Sequence, residues 1–132
     1  MNQANSLGLV QIPLAKFFDE RGTLNVLDFQ SHVDFKAVRL FTVSDTPENQ
    51  SRGNHAHRWS SQLFVWVSGE IELKFKNGID HQSFHLTNSA YAVFCPPRVW
   101  GEQRFATKNS KLLVLSDFPY DPNDYISNIE DL

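Results

Sequence analysis

The sequence has one cysteine, one methionine and no long hydrophobic run. Because no stretch approaches the roughly 20 apolar residues of a membrane span, no membrane contact is expected. Residues 1–5 lack the charged and apolar parts of a signal peptide. Cys95 has no partner for an internal disulfide, which fits a reducing compartment, and its apolar neighbours indicate a buried side chain. These absences predict a cytoplasmic protein.

An excess of basic residues is also missing. The 12 lysines and arginines are outnumbered by 15 aspartates and glutamates, and the net charge is −3. Because general nucleic-acid-binding proteins are usually basic overall, no nucleic-acid partner is expected. A small anionic ligand stays compatible with this charge, since a few well-placed arginines can bind it locally.

Short runs of β-branched and aromatic residues alternate with turn residues, and no amphipathic helix interrupts them. Asn77-Gly78 between two such runs is a strong hairpin signal. Many short strands without helices predict an all-β, antiparallel sandwich or barrel, in a single domain over residues 1–132. A short C-terminal helix is predicted from Asp121 onward. The predicted strands cover residues 8–13, 23–29, 37–44, 62–68, 71–76, 83–86, 91–95, 101–105 and 111–116.

Two of the five histidines, His55 and His57, occupy alternate positions just before the apolar run of residues 62–67. On an extended strand both side chains point to one side, and Ala56 points to the other. Two imidazoles on one side of a strand form a metal site or an acid/base pair. They can also be two structural histidines satisfied by hydrogen bonds.

This spacing resembles the first motif of the cupin superfamily, whose members are small jelly-roll barrels. A glutamate in that motif and a third histidine in the second cupin motif, five residues after a proline, usually complete the metal site. Here the corresponding residues are Gln62 and Gly101. Two histidines and an amide lack charge neutralisation and a third strong donor, so we favour an acid/base pair over a metal site. His81 and His85 could share a strand face, but no acidic ligands accompany them.

More closely, the chain resembles the nucleotide-sugar 3,4-ketoisomerases, which are metal-free cupins acting on dTDP-linked keto-6-deoxyhexoses. The resemblance covers nearly the whole chain and implies a cupin-type jelly roll. It implies conversion of a 4-keto-6-deoxyhexose to its 3-keto isomer through an enediol, in deoxysugar and polysaccharide biosynthesis, without a metal or other cofactor. The matching segments are Asp19–Gly22, Arg39–Val43, Ser51–His57, Gln62, Val67–Gly69, Pro96–Trp100 and Leu115–Ile126.

The resemblance implies a role for each histidine and for several neighbours. His55 would be the base that takes and returns the carbon-bound proton, because imidazole titrates near pH 6.5. His57 would orient the sugar or stabilise the developing oxyanion. Arg21 and Arg52 would bind the pyrophosphate or the sugar, since guanidinium groups match phosphate oxygens. The other expected contacts are Gln62, Phe41 and Trp100.

Two positions depart from the family pattern. Phe41 stands where relatives usually carry a tyrosine that assists proton transfer between oxygens, and Gly101 replaces a histidine. An alternative is therefore a degenerate cupin that binds a nucleotide sugar, or regulates a partner enzyme, without turnover. A homodimer is expected, because the exposed strand edges of such sandwiches often pair.

Overall fold

The computed structural model describes residues 6–132; the segment considered for a signal peptide, residues 1–5, lies outside them. No helix among the described residues is long and apolar enough to cross a membrane. The strands are β1 Val10–Pro13, β2 Ala15–Asp19, β3 Gly22–Val26, β4 Arg39–Val43, β5 Gln50–His57, β6 Gln62–Ser68, β7 Ile71–Lys76, β8 His81–Leu86, β9 Tyr91–Cys95, β10 Trp100–Phe105, β11 Lys111–Ser116 and β12 Tyr125–Ile126.

Two five-stranded antiparallel sheets face each other and enclose the core. One sheet has the order β1-β9-β6-β11-β4, and the other has the order β12-β5-β10-β7-β8. Alternation along β7 buries Ile71, Leu73 and Phe75, while Lys74 and Lys76 are exposed. Large apolar side chains from both inner faces fill the space between the sheets. The predicted all-β, cupin-type jelly roll is confirmed.

The predicted C-terminal helix is wrong. Residues Pro122–Asp124 form a single 3₁₀ turn, capped by the Asp121 side chain, which accepts a hydrogen bond from the backbone N–H of Asn123. The chain then extends immediately as β12 and pairs with β5 at the edge of a sheet. A helix cannot continue there, because residues 125 and 126 use their backbone in this ladder.

The expectation that His55 and His57 lie on an extended strand is confirmed by β5, although this strand was not among the predicted strand ranges. It is mostly polar, and positive φ angles at Gly53 (92°) and Asn54 (61°) interrupt it. Its pairing with β10 slips there, so that His55 lies opposite Gly101 and Gly53 lies opposite Glu102. Asn54 is therefore the extra residue of a β-bulge. A Cβ atom at position 53 would come within 3.0 Å of the Gly101 carbonyl oxygen, which explains the glycine.

The Asn77-Gly78 hairpin between β7 and β8 is confirmed. The Asn77 side-chain oxygen accepts hydrogen bonds from the backbone N–H groups of Ile79 and Asp80, at 3.1 and 2.9 Å. Gly78 has a φ of 98°, a conformation that favours glycine. A second hairpin, β2–β3, was predicted only in its second strand, and it forms a separate, exposed two-stranded sheet.

Candidate active site

A groove of about 210 Å³ opens where the edge strand β4 faces β5 and β12 of the opposite sheet. It continues inward to a cavity of about 20 Å³ between the sheets. His55, Gln62, Phe64 and Gln103 line both the groove and the inner cavity. The groove therefore leads from solvent to the histidines, and His55 lies at the junction.

Both imidazoles project from the same side of β5, directly after the bulge. The rings of His55 and His57 lie edge to face, with their centroids 4.9 Å apart. This confirms that they share one side of the strand, while Ala56 is fully buried on the other side. His55 borders the open groove, whereas His57 is buried and borders only the inner cavity. The two histidines thus have different access to a ligand.

His57 is held by a buried carboxylate. Its Nδ1 donates to Asp124 Oδ2 at 2.9 Å, because a carboxylate can only accept. The same oxygen accepts from the Ser60 hydroxyl, and Asp124 Oδ1 accepts from the backbone N–H of Trp59 at 2.7 Å. In this tautomer Nε2 of His57 is an acceptor, and it is buried without a hydrogen-bond partner among residues 6–132.

Burial sets the protonation of both imidazoles. It lowers the pKa of His55 below its ordinary value, and the adjacent His57 lowers it further. Burial also lowers the pKa of His57, and the nearby Asp124 carboxylate only partly opposes this. For Asp124 itself, burial favours a higher pKa, but hydrogen bonds from Ser60, Trp59 and His57 outweigh it and lower the pKa. Both imidazoles are therefore neutral, and the adjacent Asp124 carboxylate is ionised.

The site provides few ligands for a divalent metal ion. Within the part of the chain that the structure describes, no three His, Cys, Asp or Glu side chains are grouped so as to hold a metal ion. Asp124, the acidic neighbour of the histidines, is already occupied by four hydrogen bonds. His81 and His85 project from β8, and His85 Nε2 contacts Glu70 Oε1 at 2.7 Å.

The structure brings together most of the residues singled out in the sequence. Phe41, Arg52, Gln62 and His55 all line the groove. Gly101 lines the inner cavity opposite His55, and a Cβ atom there would be 3.3 Å from the Phe75 ring. A side chain at position 101 would therefore press on Phe75, and that ring would have to shift slightly to admit it.

Trp100 and Arg21, two of the residues expected to contact the ligand, lie outside the groove. Trp100 is on the outer face of β10, because its neighbours Gly101 and Gln103 point inward, and it borders a shallow surface pocket with Lys76 and His81. Arg21 lies at the tip of the β2–β3 hairpin, where its guanidinium pairs with Asp19 at 2.6 Å. Neither residue lines the groove of its own chain.

Gln103 and Tyr125, which line the groove, and Asp124, which holds His57, were not identified from the sequence. Asp124 and Tyr125 belong to the closing segment that resembles the ketoisomerases, and this was the one available signal. Tyr125 pairs with His57 across the β12–β5 ladder, and its ring centroid is 4.7 Å from that of His57 and 4.9 Å from that of His55.

A two-sheet jelly roll with a polar, histidine-containing cavity between its sheets defines a cupin-type protein. Residues 8–132 match the family described as FdtA: WxcM-like, C-terminal, and the chain belongs to this family. The TDP-4-oxo-6-deoxy-alpha-D-glucose-3,4-oxoisomerase of Aneurinibacillus thermoaerophilus is 29% identical to it over 115 residues, which are 87% of this chain and 83% of that protein.

Solved structures agree with this assignment. A 3,4-ketoisomerase from Helicobacter canadensis is 27% identical, with a TM-score of 0.85 over 93% of this chain and 92% of that chain. The WlaRB TDP-quinovose 3,4-ketoisomerase from Campylobacter jejuni is 28% identical, with a TM-score of 0.85 over 93% of this chain and 95% of that chain. The resemblance to the 3,4-ketoisomerases drawn from the sequence is therefore confirmed.

Proposed function

We propose that this protein is a cytoplasmic 3,4-ketoisomerase that converts a dTDP-linked 4-keto-6-deoxyhexose to its 3-keto isomer in deoxysugar biosynthesis. The observation that carries the proposal is the position of His55, a half-buried imidazole at the inner end of an open groove in a ketoisomerase fold. The relatives from Aneurinibacillus thermoaerophilus and Campylobacter jejuni are named as 3,4-isomerases of TDP-linked sugars.

The reaction requires a base that is neutral when substrate binds. His55 takes the proton from C3 of the hexose and later delivers it to C4, which moves the carbonyl from C4 to C3 through an enediol. Because its pKa is lowered by burial and by His57, the imidazole is free to accept a proton near neutral pH. The groove admits the sugar to this ring from the solvent side.

His57 holds the proposed base, His55, in position. Its Nδ1 is fixed to Asp124, so its ring orientation and tautomer are set before substrate arrives. The ring packs edge to face against His55 and limits the rotation of that imidazole. The two amides Gln62 and Gln103 line the groove together with His55 and are available to bind hydroxyl groups of the hexose.

The defining experiment follows the sugar protons by NMR in heavy water, with dTDP-4-keto-6-deoxyglucose as substrate. The proposal predicts a 3-keto product together with incorporation of deuterium at the exchanged carbon. Binding of the nucleotide sugar without product and without exchange would instead support a non-catalytic binding protein.

Arg52 is expected to contribute to nucleotide affinity. It lines the groove on the strand that carries His55. Arg52→Ala should weaken dTDP binding by about 1.5–3 kcal/mol, the range for a hydrogen bond to a charged group. Isothermal titration calorimetry measures this, and Arg104→Ala is the matched control, because Arg104 is paired with Glu72 away from the groove. Equal affinities of the two variants would remove Arg52 from the binding site.

The β2–β3 hairpin supports a homodimer. Phe17 lies opposite Leu24 in its register, and these side chains are 59% and 60% exposed. Together with Ala15 and Val26 they form one apolar face that no part of residues 6–132 covers. Because soluble monomers seldom expose such a face, we propose that a second copy covers it. Arg21, at the hairpin tip, would then contact nucleotide in the groove of that second copy.

Charge on this face should dissociate the dimer. Phe17→Asp is expected to shift the protein from dimer to monomer in sedimentation velocity experiments, since burying an unpaired carboxylate is unfavourable. Lys16→Asp is the control, because Lys16 lies opposite Asn25 on the other face of the same hairpin. A dimer that persists in Phe17→Asp would place the interface elsewhere.

A further inference from the structure

The proposed reaction moves two kinds of proton, and His55 accounts for only one of them. While a proton leaves C3 and another reaches C4, the oxygen at C4 must gain a proton and the oxygen at C3 must lose one. A group that can donate a proton to the C4 oxygen and accept one from the C3 oxygen is therefore needed on the solvent side of His55. This inference rests on the ketoisomerase activity proposed above and concerns the identity of that group.

Few side chains in the groove can exchange a proton with oxygen. Among the described residues that line it, only Thr42 and Tyr125 carry a hydroxyl group. Thr42 is exposed on β4, between the inward-facing Phe41 and Val43, and an aliphatic alcohol is a poor acid. The Ser60 hydroxyl borders only the inner cavity and donates to Asp124. His57 likewise borders the inner cavity and not the groove.

Tyr125 is held firmly beside the base. Its backbone carbonyl accepts a hydrogen bond from Arg58 at 2.7 Å, and its backbone pairs with His57 in the sheet. The preceding residue, Asp124, is tied to His57 and Ser60. The ring packs on both imidazoles, whereas the hydroxyl makes no hydrogen bond within residues 6–132.

We propose that Tyr125 is a second catalytic residue, which transfers the oxygen-bound proton of the hexose. In the first half-reaction the C3–H bond breaks, its electrons form the C3=C4 bond and His55 takes the proton. The C4 carbonyl oxygen takes the Tyr125 proton, leaving an enediol, an imidazolium and a phenolate. In the second half the phenolate removes the proton from the C3 hydroxyl, C3=O forms, and His55 delivers its proton to C4. Both side chains are regenerated.

The test compares Tyr125→Phe with Tyr120→Phe on dTDP-4-keto-6-deoxyglucose. Tyr120 is the neighbouring, largely exposed tyrosine, with its ring 6.1 Å from that of Tyr125, and it does not line the groove. Both variants keep the aromatic ring, so packing on the imidazoles is preserved. We expect kcat of Tyr125→Phe to fall by about 10²–10⁴, the usual contribution of a positioned acid or base. Its dTDP affinity and the kcat of Tyr120→Phe should change by less than about threefold.

The possible results separate this inference from the proposed function. If wild-type protein turns over the substrate and Tyr125→Phe does so at a similar rate, Tyr125 is not the proton donor and only this inference fails. An equal loss in Tyr120→Phe would overturn it as well, since the effect would not be specific to the groove. If wild-type protein shows neither turnover nor exchange, it is the ketoisomerase activity that is contradicted.

Discussion

Replacing His55 with asparagine is expected to lower kcat by about 10²–10⁴ and to abolish exchange of the C3 proton with solvent. Asparagine is similar in shape and polarity, but it cannot accept a proton from carbon. Because the arginine and the amides that line the groove are unchanged, dTDP affinity should stay within a few fold. Stopped assays and NMR in heavy water measure the two effects.

His85→Asn is the matched control for this variant. His85 is exposed on β8 and contacts Glu70, away from the groove, so its replacement should leave kcat unchanged. Persistent C3 exchange in His55→Asn would show that another group removes the proton, and the mechanism would then have to be reassigned.

The pH dependence of kcat/KM gives a second measure of the same residue. The base must be neutral, so activity falls as His55 becomes protonated at low pH. Because burial and His57 lower the pKa of His55, the acid limb should lie below the value of about 6.5 for free imidazole. A limb at or above that value would mean that a different group, or a less buried His55, controls activity.

Asp124→Ala is expected to destabilise the protein by about 3–5 kcal/mol, because each buried donor that loses its acceptor costs about 1–3 kcal/mol. The change leaves the buried His57 Nδ1, the Ser60 hydroxyl and the backbone N–H of Trp59 without their acceptor. The same hydrogen bonds tie the turn before β12 to residues 57–60, so the substitution also frees that turn. Urea denaturation monitored by tryptophan fluorescence measures the loss.

A control is available within the same turn. Asp121 caps the turn through one exposed hydrogen bond to Asn123, so Asp121→Ala should cost only about 1 kcal/mol. Asp124→Asn, which keeps the size of the side chain but removes its charge, should fall between the two. A loss below 1 kcal/mol in Asp124→Ala would mean that the buried network contributes little to stability.

Local patterns were sufficient for the architecture. Alternating apolar residues and turn residues predicted β6, β7, β9 and β11 with the bounds that the structure has. β7 and β11 show the two-residue burial period, whereas β6 and β9 are short apolar runs bounded by turn residues. β5 shows neither pattern, because polar residues fill it to form the site, and β12 has only two residues and was mistaken for part of a helix.

The order of residues by itself determined that this chain forms antiparallel sheets and that His55 and His57 share a side, because both depend only on neighbours along a strand. The tertiary structure alone decided which residues surround those imidazoles. Asp124 reaches His57 across 67 positions, and the β10 register turns Trp100 outward while Gln103 faces the cavity. Such contacts depend on how distant strands pair, and no local sequence pattern specifies that pairing.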